Sequence, residues 1–121
     1  MTSHLTSHVL DAASGTPAAG IDVVLAEASG SSVLAEASGR VIAHGTTDAD
    51  GRVALGPELL AAGDYTLTFL TGEYFAAASV DTFYPFVTVT FRVEVAPDGQ
   101  SRHYHVPLLL SPFAYSTYRG S

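Results

Sequence analysis

An all-β sandwich or barrel is the fold class that this 121-residue sequence predicts, and three observations carry it. Residues 87–95 (VTVTFRVEV) are apolar at every odd position and polar at every even one. That period of two suits a strand with one buried face. Further short runs rich in β-branched and aromatic residues recur along the chain, residues 64–71 foremost among them. Turn clusters lie between the runs, at Ser14-Gly15-Thr16-Pro17, Asp48-Ala49-Asp50-Gly51 and Pro97-Asp98-Gly99. Many short strands with closely spaced turns read as a sandwich or a barrel.

In chain order, the expected strands cover residues 5–10, 21–25, 33–44 with a break at Gly39, 64–71, 87–95 and 102–110. Alternating Phe113, Tyr115 and Thr117 point to a last strand that packs. In the Asp48–Gly51 cluster, Gly51 is expected at positive φ, in a tight turn that presents Arg52 at a strand start. One short helix is expected over residues 75–80, rich in alanine and stopped before Pro85. One or two turns of helix need tertiary support. Pro107 cannot donate to a ladder, so its segment is expected at an edge or on an exposed stretch. Val24-Leu25-Ala26-Glu27-Ala28-Ser29-Gly30 recurs as Val33-Leu34-Ala35-Glu36-Ala37-Ser38-Gly39. Two copies are too few for a solenoid and read as a local duplication that lengthens a hairpin. No linker or composition shift divides residues 1–121, which read as one domain.

Composition excludes several classes. Twelve acids against five bases, all of them arginine, leave a net charge of −7. A nucleic-acid binder needs a basic face for phosphates, so that partner is not expected. With no cysteine there is neither a disulfide nor a thiolate nucleophile. No run approaches the roughly 18 apolar residues of a membrane span. The start, Met1-Thr2-Ser3-His4-Leu5, lacks the marks of a secretory signal. The expectation is a cytoplasmic protein.

Five histidines, at positions 4, 8, 44, 103 and 105, are the main candidates for chemistry. His103 and His105 are two apart, so on a strand they share a face with Leu109 and Ser111. His4 and His8 share a face in the same way. From the residues alone three readings of this set stay open. It is a zinc pair with His8 as a third ligand, a scatter of surface histidines, or acid–base machinery that exploits a neutral imidazole near pH 7. The ending Tyr118-Arg119-Gly120-Ser121 is equally open, between an arginine held in a site and a frayed terminus. Asp48-Ala49-Asp50-Gly51-Arg52 lacks the closing Glu of a calcium loop. No Gly-x-Ser-x-Gly elbow is present.

Several segments resemble the transthyretin-like 5-hydroxyisourate hydrolases. They are Ser7-His8-Val9-Leu10-Asp11 with Gly15-Thr16-Pro17-Ala18, Thr47 to Arg52, Gly72-Glu73-Tyr74-Phe75, and Phe83-Tyr84-Pro85. His103-Tyr104-His105-Val106-Pro107-Leu108-Leu109-Leu110-Ser111-Pro112 and the terminal Tyr118-Arg119-Gly120-Ser121 match that family's signature closely. The repeat near residues 24–39 departs from it by being longer. The resemblance implies a sandwich of two four-stranded antiparallel sheets with one short helix. It also implies a homotetramer, a dimer of dimers, whose sites lie between subunits. By motif match His8, Arg52 and His105 carry over as catalytic residues, and Ser121, Tyr118 and His103 as substrate-binding ones. No metal and no cofactor are implied. The expected chemistry is hydrolysis of 5-hydroxyisourate by a water deprotonated at His8 or His105, with Arg52 orienting the ring. The rival reading is a carrier like vertebrate transthyretin, which shares the fold but lacks the Tyr-Arg-Gly-Ser ending and the two histidines. A metal-dependent hydrolase is a second rival, and a purely structural sandwich a third.

Overall fold

In the computed structural model the chain is described over residues 5–28, 39–57, 60–94 and 103–120. Nine strands and one helix follow in the order β1 (Leu5–Asp11), β2 (Thr16–Pro17), β3 (Asp22–Glu27), β4 (Val41–Thr46), β5 (Arg52–Leu55), β6 (Gly63–Phe69), α1 (Thr71–Ala77), β7 (Val87–Val93), β8 (Tyr104–Ser111) and β9 (Ala114–Thr117). They form two sheets. One is antiparallel throughout, in the order β4-β3-β6-β7. The other runs β2-β1-β8-β9, with β5 also paired to β1.

Alternation decides what each strand buries. In β7, Val87 and Val93 are buried while Thr88, Thr90 and Arg92 are exposed, as the period of two requires. In β1 the odd positions Leu5, Ser7, Val9 and Asp11 face inward, which sends Thr6, His8 and Leu10 to the outer face. Strand β8 is offset by one, so Tyr104, Val106, Leu108 and Leu110 go inward. Val53 and Leu55 of β5 complete that wall, which packs against Val23, Leu25, Leu67 and Phe69 of the other sheet. Each such fully buried aliphatic or aromatic side chain contributes about 1.5–3 kcal/mol.

Three expectations need correction. The sheet containing β1 has five strands and is mixed, because β1 and β8 run parallel over Leu5–Asp11 and Tyr104–Leu110. Its width is still four, since β5 pairs with Leu5 to His8 and β2 with Leu10 and Asp11 on successive parts of β1. Strand β8 is interior, between β1 and β9, and not at an edge. Pro107 fits there because a strand residue's N–H and C=O point the same way. Its carbonyl accepts a 2.7 Å bond from Thr117 Oγ1, so the missing N–H faces the side where β9 has just ended.

The helix occupies Thr71–Ala77 and not residues 75–80. Tertiary anchors place it, not the alanine run. Gly72 N–H donates to Pro85 O at 3.0 Å, and a Cβ on Gly72 would collide with that oxygen. Phe75 is buried, and Tyr74 donates its hydroxyl hydrogen to Asp11 Oδ2 at 2.8 Å. Most of the second repeat copy and the Pro97-Asp98-Gly99 cluster lie outside the described residues. No described helix is long and apolar enough to cross a membrane.

Candidate active site

The outer face of the β5-β1-β8 sheet gathers the candidate groups. Register sets Arg52 of β5 opposite His8 of β1, and Thr6 of β1 beside His105 of β8. His103 stands two residues before His105 and on the same face, as the spacing predicts. Thr6, Asp48, Arg52, Ala54, His103 and His105 line a cleft of about 390 Å³; His8 pairs with Arg52 across the strands but is not among the lining residues.

The turn before β5 delivers Arg52. Gly51 has φ 75°, and a Cβ there would run into Val9 O. Only glycine lets the turn press this closely on β1, where Gly51 O accepts from Val9 N–H at 2.8 Å. The Asp48 carboxylate braces the loop by accepting from Asp50 N–H at 2.9 Å and Arg52 N–H at 3.0 Å. Those backbone donors, the one from Arg52 first, hold the Asp48 pKa below its ordinary value. Among the described residues Arg52 forms no ion pair, so its guanidinium keeps its donors for a ligand.

The histidines are held differently. His8 Nε2 lies 2.9 Å from Asp50 O, and a carbonyl can only accept, so Nε2 carries the hydrogen and Nδ1 the lone pair. Thr6 Oγ1 lies 2.8 Å from His105 Nδ1 and 2.8 Å from His103 Nε2. Burial lowers the His105 pKa, and the nearby His103, His8 and Arg52 lower it further. His105 is therefore neutral at pH 7, the state a general base needs.

The segment after β9 closes this side. Gly120 N–H donates to His105 O at 2.9 Å and bridges to that residue in antiparallel register. A Cβ on Gly120 would stand 2.5 Å from His105 Cδ2, so only a glycine seats here without moving the ring. One residue earlier, the Arg119 guanidinium lies 4.7 Å over the Tyr104 ring on the inner side. The segment is thus gripped on both faces of β8.

His8, Arg52, His103 and His105 are brought together. Tyr118 is not in that cleft: it is exposed and lines a neighbouring hollow with Arg119 and Phe91. Ser121 and His4 lie outside the described residues. Among the described residues no three His, Asp or Glu side chains converge as metal ligands do. Thr6 was missed, because its position depends on a pairing across 99 residues that no local pattern announces. The one signal available was its place two residues before His8, on the same face of β1.

A model described as the HIUase/Transthyretin family matches residues 5–120. A 5-hydroxyisourate hydrolase of Salmonella dublin is 44% identical over 119 residues, 97% of this chain and 80% of that protein. The solved 5-hydroxyisourate hydrolase of Klebsiella pneumoniae superposes with a TM-score of 0.79 at 33% identity, covering 100% of this chain and 97% of that one. Sea bream transthyretin in complex with thyroxine superposes as well, with a TM-score of 0.80 at 30% identity, over 96% of this chain and 93% of that one. The architecture is therefore common to a hydrolase and a hormone-bound protein, and the residues of the site must decide between them.

Proposed function

The chain belongs to the HIUase/Transthyretin family, and on that premise we propose that it hydrolyses 5-hydroxyisourate in the cleft between β5, β1 and β8. The observation that carries this reading is the convergence of a neutral His105 and an Arg52 without an ion pair on one cleft. His105 takes a proton from a water molecule as the water oxygen attacks a ring carbonyl carbon. The C–N bond of that carbonyl then breaks. The carbon becomes a carboxylic acid, which loses its proton to bulk water, the nitrogen receives the proton held by His105, and the hydroxy-carboxy-ureidoimidazoline product results. Arg52 presents its paired donors to the substrate oxygens and stabilises negative charge as it develops. His8 offers Nδ1 as a second acceptor, while His103 and Ser121 bind and orient the ring; Tyr118 lies outside this cleft and is given no contact with the ring.

We assign the working form as a homotetramer, a dimer of dimers, with the cleft completed between subunits in the cytoplasm, and no resident metal or cofactor. Two features support the shared site. The cleft lies along an open sheet face, and Leu109 on that same face is 36% exposed. The net charge of −7 agrees with a partner that is neither nucleic acid nor an anionic membrane.

Likeness to thyroxine-bound transthyretin favours a second reading, a carrier without hydrolase activity. One assay separates them. Urate and a urate oxidase generate 5-hydroxyisourate, whose ultraviolet decay is followed with and without this protein. Decay faster than the spontaneous rate, unchanged by EDTA, is the expected result. Decay at the spontaneous rate at every protein concentration refutes the hydrolase reading.

A further inference from the structure

Thr6 has one hydroxyl hydrogen and two imidazole neighbours. Its Oγ1 lies 2.8 Å from His105 Nδ1 and 2.8 Å from His103 Nε2, and no described hydrogen bond gives it a third partner. It can therefore donate to at most one ring, and it accepts from the other, or from both when its own hydrogen is turned away. The two arrangements have opposite consequences for the cleft. If Thr6 donates to His105, Nδ1 of that ring is bare and its Nε2 holds the hydrogen, which blocks it as a base. If Thr6 accepts from His105 Nδ1–H, Nε2 is the bare nitrogen.

We propose that Thr6 is a positioning residue that fixes the tautomer of His105, accepting from its Nδ1–H and donating to His103 Nε2, so that His105 Nε2 is held unprotonated toward the cleft. This rests on the hydrolase reading for its purpose but not for its measurement. Only an Nδ1–H that donates to Thr6 Oγ1 leaves the ring's far nitrogen bare, as the base of the proposed reaction requires. His103 thereby becomes part of the setting. A proton placed on its Nε2 is donated to Thr6, and the hydroxyl hydrogen is then no longer held toward His103.

The test is a long-range proton–nitrogen correlation spectrum of the whole protein with nitrogen-15 in its histidines, assigned through His105→Gln and His103→Gln. In the native chain His105 is expected to carry hydrogen on Nδ1 and none on Nε2. Thr6→Val, equal in shape but without the hydroxyl, is expected to move that hydrogen wholly or partly to Nε2. It should also lower kcat by roughly 10²-fold, the lower end of what general-base help is worth, with KM little changed. Thr6→Ser should restore both the spectrum and the rate. An Nε2-protonated His105 in the native chain, or a Thr6→Val spectrum identical to native, overturns the assignment. Failure of the native protein to accelerate 5-hydroxyisourate decay would instead remove the proposed function while leaving the spectral result to stand or fall alone.

Discussion

The two sheets present outer faces of opposite chemical habit. On the antiparallel sheet the polar groups satisfy one another across strands. Arg92 donates to Asp64 at 2.8 Å, Arg40 to Glu27 at 2.9 Å and Thr46 to Asp22 at 2.8 Å, and Thr68 lies 3.0 Å from Thr88. Among the described residues on the mixed sheet, Arg52 makes no ion pair and has only the exposed Asp48 carboxylate as a nearby opposite charge, and His105 is hydrogen-bonded at one ring nitrogen alone, to Thr6. Both faces carry arginine and hydroxyl groups; what differs is whether their hydrogen-bonding capacity has already been used. A surface that has paired its charges is a solvated wall. One that holds them in reserve is equipped to bind something.

The largest effect that would break this comparison comes from the reserved groups. His105→Ala and Arg52→Ala should each lower kcat/KM by about 10²–10⁴-fold with the secondary structure intact by circular dichroism. Near-native turnover in either variant would mean that the cleft is only another solvated wall. A pH profile sharpens the same point. Because burial, His103, His8 and Arg52 lower the His105 pKa, its neutral form persists below the ordinary value of 6.5. Activity should therefore hold as pH falls past 6.5 and be lost as pH drops through the lowered value. The stability that His105 contributes follows the same direction, full above 6.5 and lost as the half-buried ring is protonated. An acid limb centred above 6.5 would contradict the assignment of His105 as the base.

Smaller effects test what holds the reserved groups in place. Gly120→Ala puts a methyl where His105 Cδ2 is 2.5 Å away, so ring or tail must shift. A displacement near 1 Å at a catalytic group can cost about 10²-fold, and kcat should fall by up to that factor while the melting temperature stays close to native. An unchanged kcat would show that the tail does not seat the ring. The smallest effect belongs to the opposite face. Arg92→Ala removes an exposed, solvent-screened ion pair and should leave kcat/KM unaltered. Loss of turnover in that variant would erase the distinction between the faces.

What could be read in advance was what depends on local period. The alternation of residues 87–95 located β7, and the two-residue spacing of His103 and His105 put both on one face. Gly51 before Arg52 announced a left-handed turn, found at φ 75°. What could not be read depends on pairing at a distance. Whether Pro107 lies at an edge turns on which neighbour its missing N–H would have faced, and that is set by where β9 stops. The helix sits four residues early because Gly72, Tyr74 and Phe75 dock on Pro85, Asp11 and the core, contacts that alanine propensity does not encode. Thr6 looked like an ordinary strand residue until the parallel register of β1 and β8 brought it to His105.

That register has a temporal meaning. Thr6 and His105 are 99 residues apart, so at about 5–20 residues per second a ribosome makes the second roughly 5–20 s after the first. Throughout that interval β1 has only β2 and β5 as partners in its sheet, and the edge reserved for β8 is open. Such non-local pairing is slow to form and exposed to mispairing. Each subunit's share of the cleft is therefore completed only late, when β8 docks on β1 and Gly120 pairs with His105. A chain interrupted anywhere earlier is not a weaker enzyme but an unfinished one.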